Sequence, residues 1–222
     1  MKKPVLILVM LKGIIFDFDG VITESVHIKS AGFSEIYKPY GSSIIKKVIK
    51  HHEANGGVSR FEKIKYYHEI FLNTSLSDQE TNHIANQFSK YVVDRIVRAQ
   101  YVPNVLEFIK QSYCKYELFI STGTPITEIK KILELKKIMK YFKSVYGSPA
   151  SKRNHINMIC TKNNFKSEEL LFFGDSMTDL EAATKHGIKF ILRLHKHNKK
   201  HFQDYRGHKI YNFKSLDILS IR

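Results

Sequence analysis

Five short apolar runs, separated by stretches of helical periodicity, constrain this chain more than any other feature. They are GIIF at 13–16, ELFIS at 117–121, SVYG at 144–147, LLFF at 170–173 and KFILRL at 189–194. Runs this short and this continuously apolar suit strands covered on both faces, as in a parallel sheet. The stretches VLEFIKQSY, ITEIKKILELKKIMKYF, HINMICTKNNF and DLEAATKHG carry apolar residues at helix spacing. Repeated β–α units predict an α/β fold, an open and mostly parallel sheet with helices on both faces. In such sheets ligands bind outside the carboxyl ends of the strands.

One region breaks the alternation. Residues 25–98 contain no convincing strand but several helical stretches, with breaks at Gly41, at Gly56-Gly57 and in NTSLSD, and with AQYVPNV as a return linker. This predicts a helical block inserted after the first strand, with 1–24 and 99–222 forming the α/β core. A chain of 222 residues is long enough for a well-cored domain carrying such an insertion. No internal repeat is present.

The predicted strand ends carry the chemistry. GIIF runs straight into Asp17 and Asp19; ELFIS is followed by Thr122 and Gly123; SVYG leads to Lys152; LLFF leads into GDSMTD, with Asp175 and Asp179. Burying a carboxylate without a partner costs several kcal/mol or forces protonation. If the strands are parallel neighbours, these groups converge on one sheet edge, where a divalent cation and a lysine balance the aspartates. Hard oxygen ligands gathered at one point suit magnesium, completed by water and a substrate phosphate. Each residue alone has a local reading: Asp179 as a cap of DLEAATKHG, the threonine as turn chemistry, the lysine as a solvated charge. The combination is what points to a site.

FDFDG, the strand-end Thr122, Lys152 and FFGDSMTD resemble, in order and spacing, the four motifs of the haloacid dehalogenase superfamily. The resemblance implies a Rossmann-like parallel core with the block 25–98 as its helical cap domain. It further implies a magnesium-dependent phosphatase acting on a small phosphorylated metabolite; the cytoplasmic location is read separately, from an N-terminal apolar run too short for a signal or membrane segment. Asp17 would be the nucleophile that forms an aspartyl-phosphate. Asp19 would be the acid and base, and its carbonyl a metal ligand beside Asp17 and Asp175. Thr122, with Ser121 as a competitor, and the Gly123 amide would bind the phosphoryl oxygens, and Lys152 would neutralise them. Asp179 would act through water or by holding Lys152. Members that cleave carbon–halogen bonds lack an acid/base carboxylate at the position of Asp19, so phosphoryl transfer is favoured.

Within the superfamily, DGVITES and GGVSR (56–60) resemble β-phosphoglucomutase, alongside phosphoglycolate phosphatases. The resemblance implies that Arg60 reaches a non-transferring phosphate with its two-pronged guanidinium. The local alternative is a helix start, with Ser59 as N-cap and Glu62 closing a capping box. A phosphomutase is the second functional reading. GDSMTD, where the mutase carries Glu-Asp, and SRFEKIK, where it carries SREDSL, favour the phosphatase. ISTGTP, YGSPASK and NGGVSR look like sugar-phosphate phosphatases of bacterial surface-carbohydrate enzymes.

The formal charge of +15 raises a third reading, nucleic-acid binding. The lysines are spread over helix faces, as in KKVIKHH, without an arginine-rich arm or a nucleic-acid motif, so no dedicated nucleic-acid or membrane partner is expected. The basic stretch HKHNKKHFQDYRGHK reads as a solvated loop before a last strand, KIYNF. His51 and His52 read as surface or packing residues, and YYHEIF and FSKYVV as core stripes. The apolar VLILVML is seven residues, far short of the roughly 20 that span a membrane. Residues 1–9 read as an extension, or else translation begins at Met10. Cys114 and Cys160 read as buried free thiols of a reducing compartment, and the chain as a monomer or weak dimer.

Overall fold

The computed structural model describes residues 10–214, 216 and 218. Six strands form one sheet: β1 (Gly13–Phe16), β2 (Glu117–Pro125), β3 (Ser144–Ser148), β4 (Leu170–Gly174), β5 (Lys189–Arg193) and β6 (His208–Ile210). All neighbours run parallel, in the order β3-β2-β1-β4-β5-β6. The chain winds outward from β1 in both directions, which makes the carboxyl end of β1 the topological switch point where such sheets bind ligands.

The continuous apolar runs are explained by burial on both faces. Ile14 and Phe16 join Ile120 and Phe173 in one core, covered by α5 (Val105–Tyr113) and α6 (Ile126–Leu135). Ile15 joins Phe119 and Phe172 in the other, covered by α7 (Lys152–Asn163) and α8 (Met177–Lys185). Successive strand residues point to opposite faces, so a strand packed on both has no polar positions. The helical run ITEIKKILELKKIMKYF is shorter than its periodicity suggests. The helix α6 ends at Leu135, Lys137 takes a left-handed conformation (φ +58°), and a single 3-10 turn follows at Met139–Tyr141. That reversal carries Ile138 and Phe142 back into the core.

Between β1 and α5 lie α1 (Val26–Ile36), α2 (Ser42–Ala54), α3 (Arg60–Tyr66) and α4 (Asp78–Arg98), with no strand among the described residues. The aromatic stripes here are core: Phe33, Tyr37, Tyr67 and Phe88 are buried, and the Phe33 and Phe88 rings lie 4.5 Å apart. The two connections to the sheet run side by side. Glu24 N–H donates to the Gln100 carbonyl at 2.9 Å, and Val102 N–H donates to the Ile22 carbonyl at 3.0 Å.

Residues 1–9 lie outside the described residues, so the proposed extension does too. Among the described residues no helix is long and apolar enough to cross a membrane. Of the two cysteines expected to be buried, Cys114 is exposed and Cys160 half-buried. Cys114 follows α5 in a surface turn, where no apolar layer covers it.

Candidate active site

Register brings the strand-end residues together. Phe16 pairs with Ile120 and Phe173, so Asp17 leaves β1 level with the ends of β2 and β4. Its amide still donates to the Phe173 carbonyl at 2.9 Å. Asp17 Oδ1 accepts the Phe18 amide at 2.7 Å, and Oδ2 accepts Lys152 Nζ at 2.9 Å. The chain then turns through Gly20, whose φ of +77° suits glycine and where a Cβ would collide with the Asp175 carboxylate. That turn aims Asp19 at the same edge. Its carboxylate accepts Ser25 Oγ at 2.6 Å and Thr124 Oγ1 at 3.2 Å, and pairs with Lys29.

Lys152, the first residue of α7, is buried between Asp17 and Asp179, 2.5 Å from the latter. Asp179 also accepts Ser176 Oγ at 2.5 Å and the amides of Ser176 and Asp175 at 3.1 and 3.3 Å. It therefore caps α8 from the third helical position and holds Lys152 at once. Three of these donors crowd Oδ2 and Lys152 takes Oδ1, so Asp179 is largely committed to structural partners. Asp175 has one side-chain partner, His195 Nε2 at 2.8 Å. Because His195 Nδ1 accepts the His197 amide at 3.2 Å, the ring proton sits on Nε2 and is donated to Asp175. Burial, followed by Arg193, holds the His195 pKa down to about 4, consistent with a neutral ring.

Carboxylate oxygens of Asp17, Asp175 and Asp179 lie within 4.8 Å of one another. Burial, with Asp179 and Asp19 adding and Lys152 opposing, pushes the Asp17 pKa up to about 6. Burial and then Asp17 push Asp175 well above the carboxylate range. For Lys152 burial works against the charge, but Asp17 and Asp179 together outweigh it and the pKa rises. Asp19 moves the other way: its burial is overcome by Lys29, Ser25 and Thr124, and it stays ionised. Three crowded carboxylates facing one ammonium leave an excess of buried negative charge. Hard oxygens with lone pairs remaining on Asp17 and Asp175 fit a divalent cation such as magnesium.

The helical block closes over this edge. Thr178 Oγ1 donates to the Gly56 carbonyl at 3.0 Å. The Gly57 carbonyl packs against Gly123 so closely that a Cβ at position 123 would overlap it. Asp17, Asp19, Thr122, Gly123 and Asp175 line a cavity of about 90 Å³ between the block and the sheet. Ser121, the alternative to Thr122, points elsewhere, its hydroxyl 3.0 Å from His155 Nδ1 in the core.

Arg60 takes a position that its resemblance does not imply. It borders the cavity, but its guanidinium meets Glu128 of α6 end-on, NH1 to Oε2 at 2.8 Å and NH2 to Oε1 at 2.5 Å. Ser89 of α4 accepts from NH1 at 2.7 Å and lies 2.7 Å from Glu128 Oε2, while the Phe88 ring lies 4.5 Å beneath the guanidinium. Both charged side chains are buried. The expected phosphate ligand is thus a fastener between block and sheet in this arrangement. Ser59 is the N-cap, accepting the Phe61 amide at 3.3 Å, but the capping box with Glu62 does not form.

The sequence reading passed over Lys29, Glu128, His195 and Asn198. The basic stretch read as a solvated loop in fact folds onto the site. Asn198 is buried, donating to the carbonyls of Asp175 and Arg193 at 2.8 and 2.9 Å, and its Oδ1 accepts the His195 amide at 2.8 Å. Asparagine and histidine amid lysines was the available signal, since neither adds to a solvated charge run.

A family model described as haloacid dehalogenase-like hydrolase matches residues 14–193. A phosphoglycolate phosphatase of Vibrio parahaemolyticus is 23% identical over 185 residues, covering 80% of this chain and 81% of that protein. Among solved structures, a β-phosphoglucomutase from Clostridium difficile superposes with a TM-score of 0.77 at 18% identity, covering 96% of each chain. CbbY from Rhodobacter sphaeroides, solved in complex with phosphate, superposes with a TM-score of 0.74 at 15% identity, covering 96% of this chain and 99% of that one.

Proposed function

This chain belongs to the haloacid dehalogenase-like hydrolases, and from that premise we propose that it is a magnesium-dependent phosphatase of a small phosphorylated metabolite, a sugar or sugar-acid phosphate. The observation that carries the reading is the pairing of a nucleophile with a second carboxylate: Asp17 beside Lys152, and Asp19 separately held by Lys29, Ser25 and Thr124.

In this reading the carboxylate of Asp17 attacks phosphorus and the ester oxygen leaves, giving an aspartyl-phosphate that water then hydrolyses. For the first step Asp19 must take up a proton, which it gives to the leaving oxygen; ionised again beside Lys29, it then takes a proton from the water. Lys29, reaching both Asp19 and Thr124, fixes the direction of that carboxylate. Thr122 and the Gly123 amide hold the phosphoryl oxygens, and Lys152 offsets their charge while Asp179 keeps its ammonium in place. Magnesium, held by Asp17, Asp175 and the Asp19 carbonyl, would supply further charge neutralisation at the phosphoryl group. The block 25–98 serves as the cap that excludes water and contacts the leaving group.

The test is inorganic-phosphate release from a panel of phosphorylated sugars, sugar acids, nucleotides and glycolate, with and without magnesium. Magnesium-dependent release from one substrate or a few related ones is expected. Isomerised sugar phosphate without phosphate release, appearing once a bisphosphate is added, would replace the phosphatase with a phosphomutase, the reading that the β-phosphoglucomutase likeness favours.

His195 serves this site by orienting Asp175. His195→Ala is expected to weaken magnesium affinity about 10–100-fold, the usual effect of losing a hydrogen bond to a metal-binding side chain. Titrating activity with magnesium should give a shifted midpoint and a recovered plateau. An unshifted midpoint would remove His195 from the metal's support.

A further inference from the structure

Three cationic side chains line the cavity, Lys29, Arg60 and Lys63, and a fourth, Lys152, pairs with its lining residue Asp17; among the described residues one of the four has no carboxylate partner. Lys29 pairs with Asp19, Arg60 with Glu128, and Lys152 with Asp17 and Asp179. Lys63, one turn into α3, lines the same cavity and is 3% exposed, yet enters none of the ion pairs. Its ammonium donates to His52 Nδ1 at 2.9 Å and more distantly to the His52 carbonyl at 3.4 Å. An ammonium has three N–H groups, so one donor remains.

His52 brings no compensating charge. It is buried, packs against Phe33 with ring centroids 4.8 Å apart, and accepts from Lys63, so its own proton sits on Nε2. A neutral donor at position 63 would satisfy the same two acceptors without placing a charge in the interior, which is costly when unpaired. Burial, with Lys29 and Lys152 adding and Glu62 opposing, holds the Lys63 pKa down to about 7, and a bound anion would work against that shift. The cavity also limits what that anion can belong to. The cavity is small, about 90 Å³, or roughly three waters at about 30 Å³ each, which favours a short leaving group.

We propose that Lys63, backed by His52, is a subsite for a second oxyanion on the leaving group, so that the favoured substrates are phosphate esters of short, negatively charged alcohols. This rests on the phosphatase reading for the identity of the leaving group. The remaining donor of Lys63 would bind the oxyanion, and the cation set would divide into groups paired by the protein and one paired by the substrate. The oxyanion is a carboxylate or a second phosphate, and the two are separated by experiment.

Calorimetry with magnesium present and non-hydrolysable probes tests the subsite without relying on turnover. Phosphonopropionate is expected to bind at least about tenfold more tightly than propylphosphonate, as fits a charged hydrogen bond. Lys63→Met and Lys63→Gln, the latter keeping a donor for His52, should both bring that ratio close to one. Propylene diphosphonate binding more tightly than phosphonopropionate would identify the oxyanion as phosphate; the reverse order would identify a carboxylate. Equal affinity of the wild type for the charged and uncharged probes, or a preference surviving in either folded variant, would overturn the subsite. Phosphate release from the matching esters is measured in parallel. Preference without release would sink the phosphatase reading and leave the subsite standing, whereas release without preference would do the opposite.

Discussion

Asp17→Asn is expected to reduce phosphate release at saturating substrate by at least about a thousandfold, equivalent to about 4 kcal/mol of transition-state stabilisation. The amide is a far weaker nucleophile, while the rest of the edge stays in place: Lys152 keeps Asp179 at 2.5 Å, and Asp19 keeps Lys29. Without metal the variant should unfold at the same temperature as the wild type or higher. The charge removed is one that burial and Asp179 already disfavour. Magnesium should raise the wild type's Tm more than the variant's, since at a given concentration a ligand stabilises the folded state more the more tightly it binds it. Thermal unfolding with and without magnesium, beside single-turnover kinetics, checks both halves. A variant retaining most of its activity would show that Asp17 is not the nucleophile.

Glu128→Ala should destabilise the protein by about 3–5 kcal/mol, because it leaves the Arg60 guanidinium buried without its partner. Arg60→Ala should cost a similar amount, and the two losses should fall well short of adding in the double variant, since each removes the same interaction. Arg60→Met with Glu128→Leu, two apolar side chains in a buried place, should recover much of the stability. Urea unfolding of the wild type, the two single alanine variants and the double alanine variant gives the coupling energy directly. Additive losses, or a stable Arg60→Ala protein impaired only toward its substrate, would return Arg60 to the role of phosphate ligand.

The site's chemistry is legible where it lies in short contiguous stretches. The sequence DFD after GIIF and GDSMTD after LLFF mark carboxylates leaving strands, and register alone carries them to one edge. The groups that serve these aspartates are not legible in the same way. Glu128 looks in sequence like Glu134 further along the same helix, but one is buried against Arg60 and the other exposed. Its partner is 68 residues away, and Thr124 is 105 residues from Asp19. Lys63 is one lysine among many on helix faces, and only tertiary packing sets it apart as enclosed and, among the described residues, in no ion pair. His195 and Asn198 were hidden by composition, because a basic stretch suggests solvent more strongly than two of its members suggest burial. Short-range pattern reports which face a residue occupies; it does not report what stands opposite.

The side-by-side connections at Ile22–Val102 and Glu24–Gln100 have a consequence for how such a chain can change over generations. Everything between them begins and ends at one point on the sheet, so the sheet experiences it as a single loop whatever it contains. Closing a loop becomes harder only slowly with length, by about 0.6 kcal/mol for each doubling. Helices could be gained, lost or replaced there at little expense to the strands that carry the aspartates. The conserved part of the bargain would be a few points of touch: Gly56 against Thr178, Gly57 against Gly123, and the clasp of Arg60 on Glu128. A new inserted segment that reproduced those touches would inherit the reaction while choosing its own molecules to perform it on.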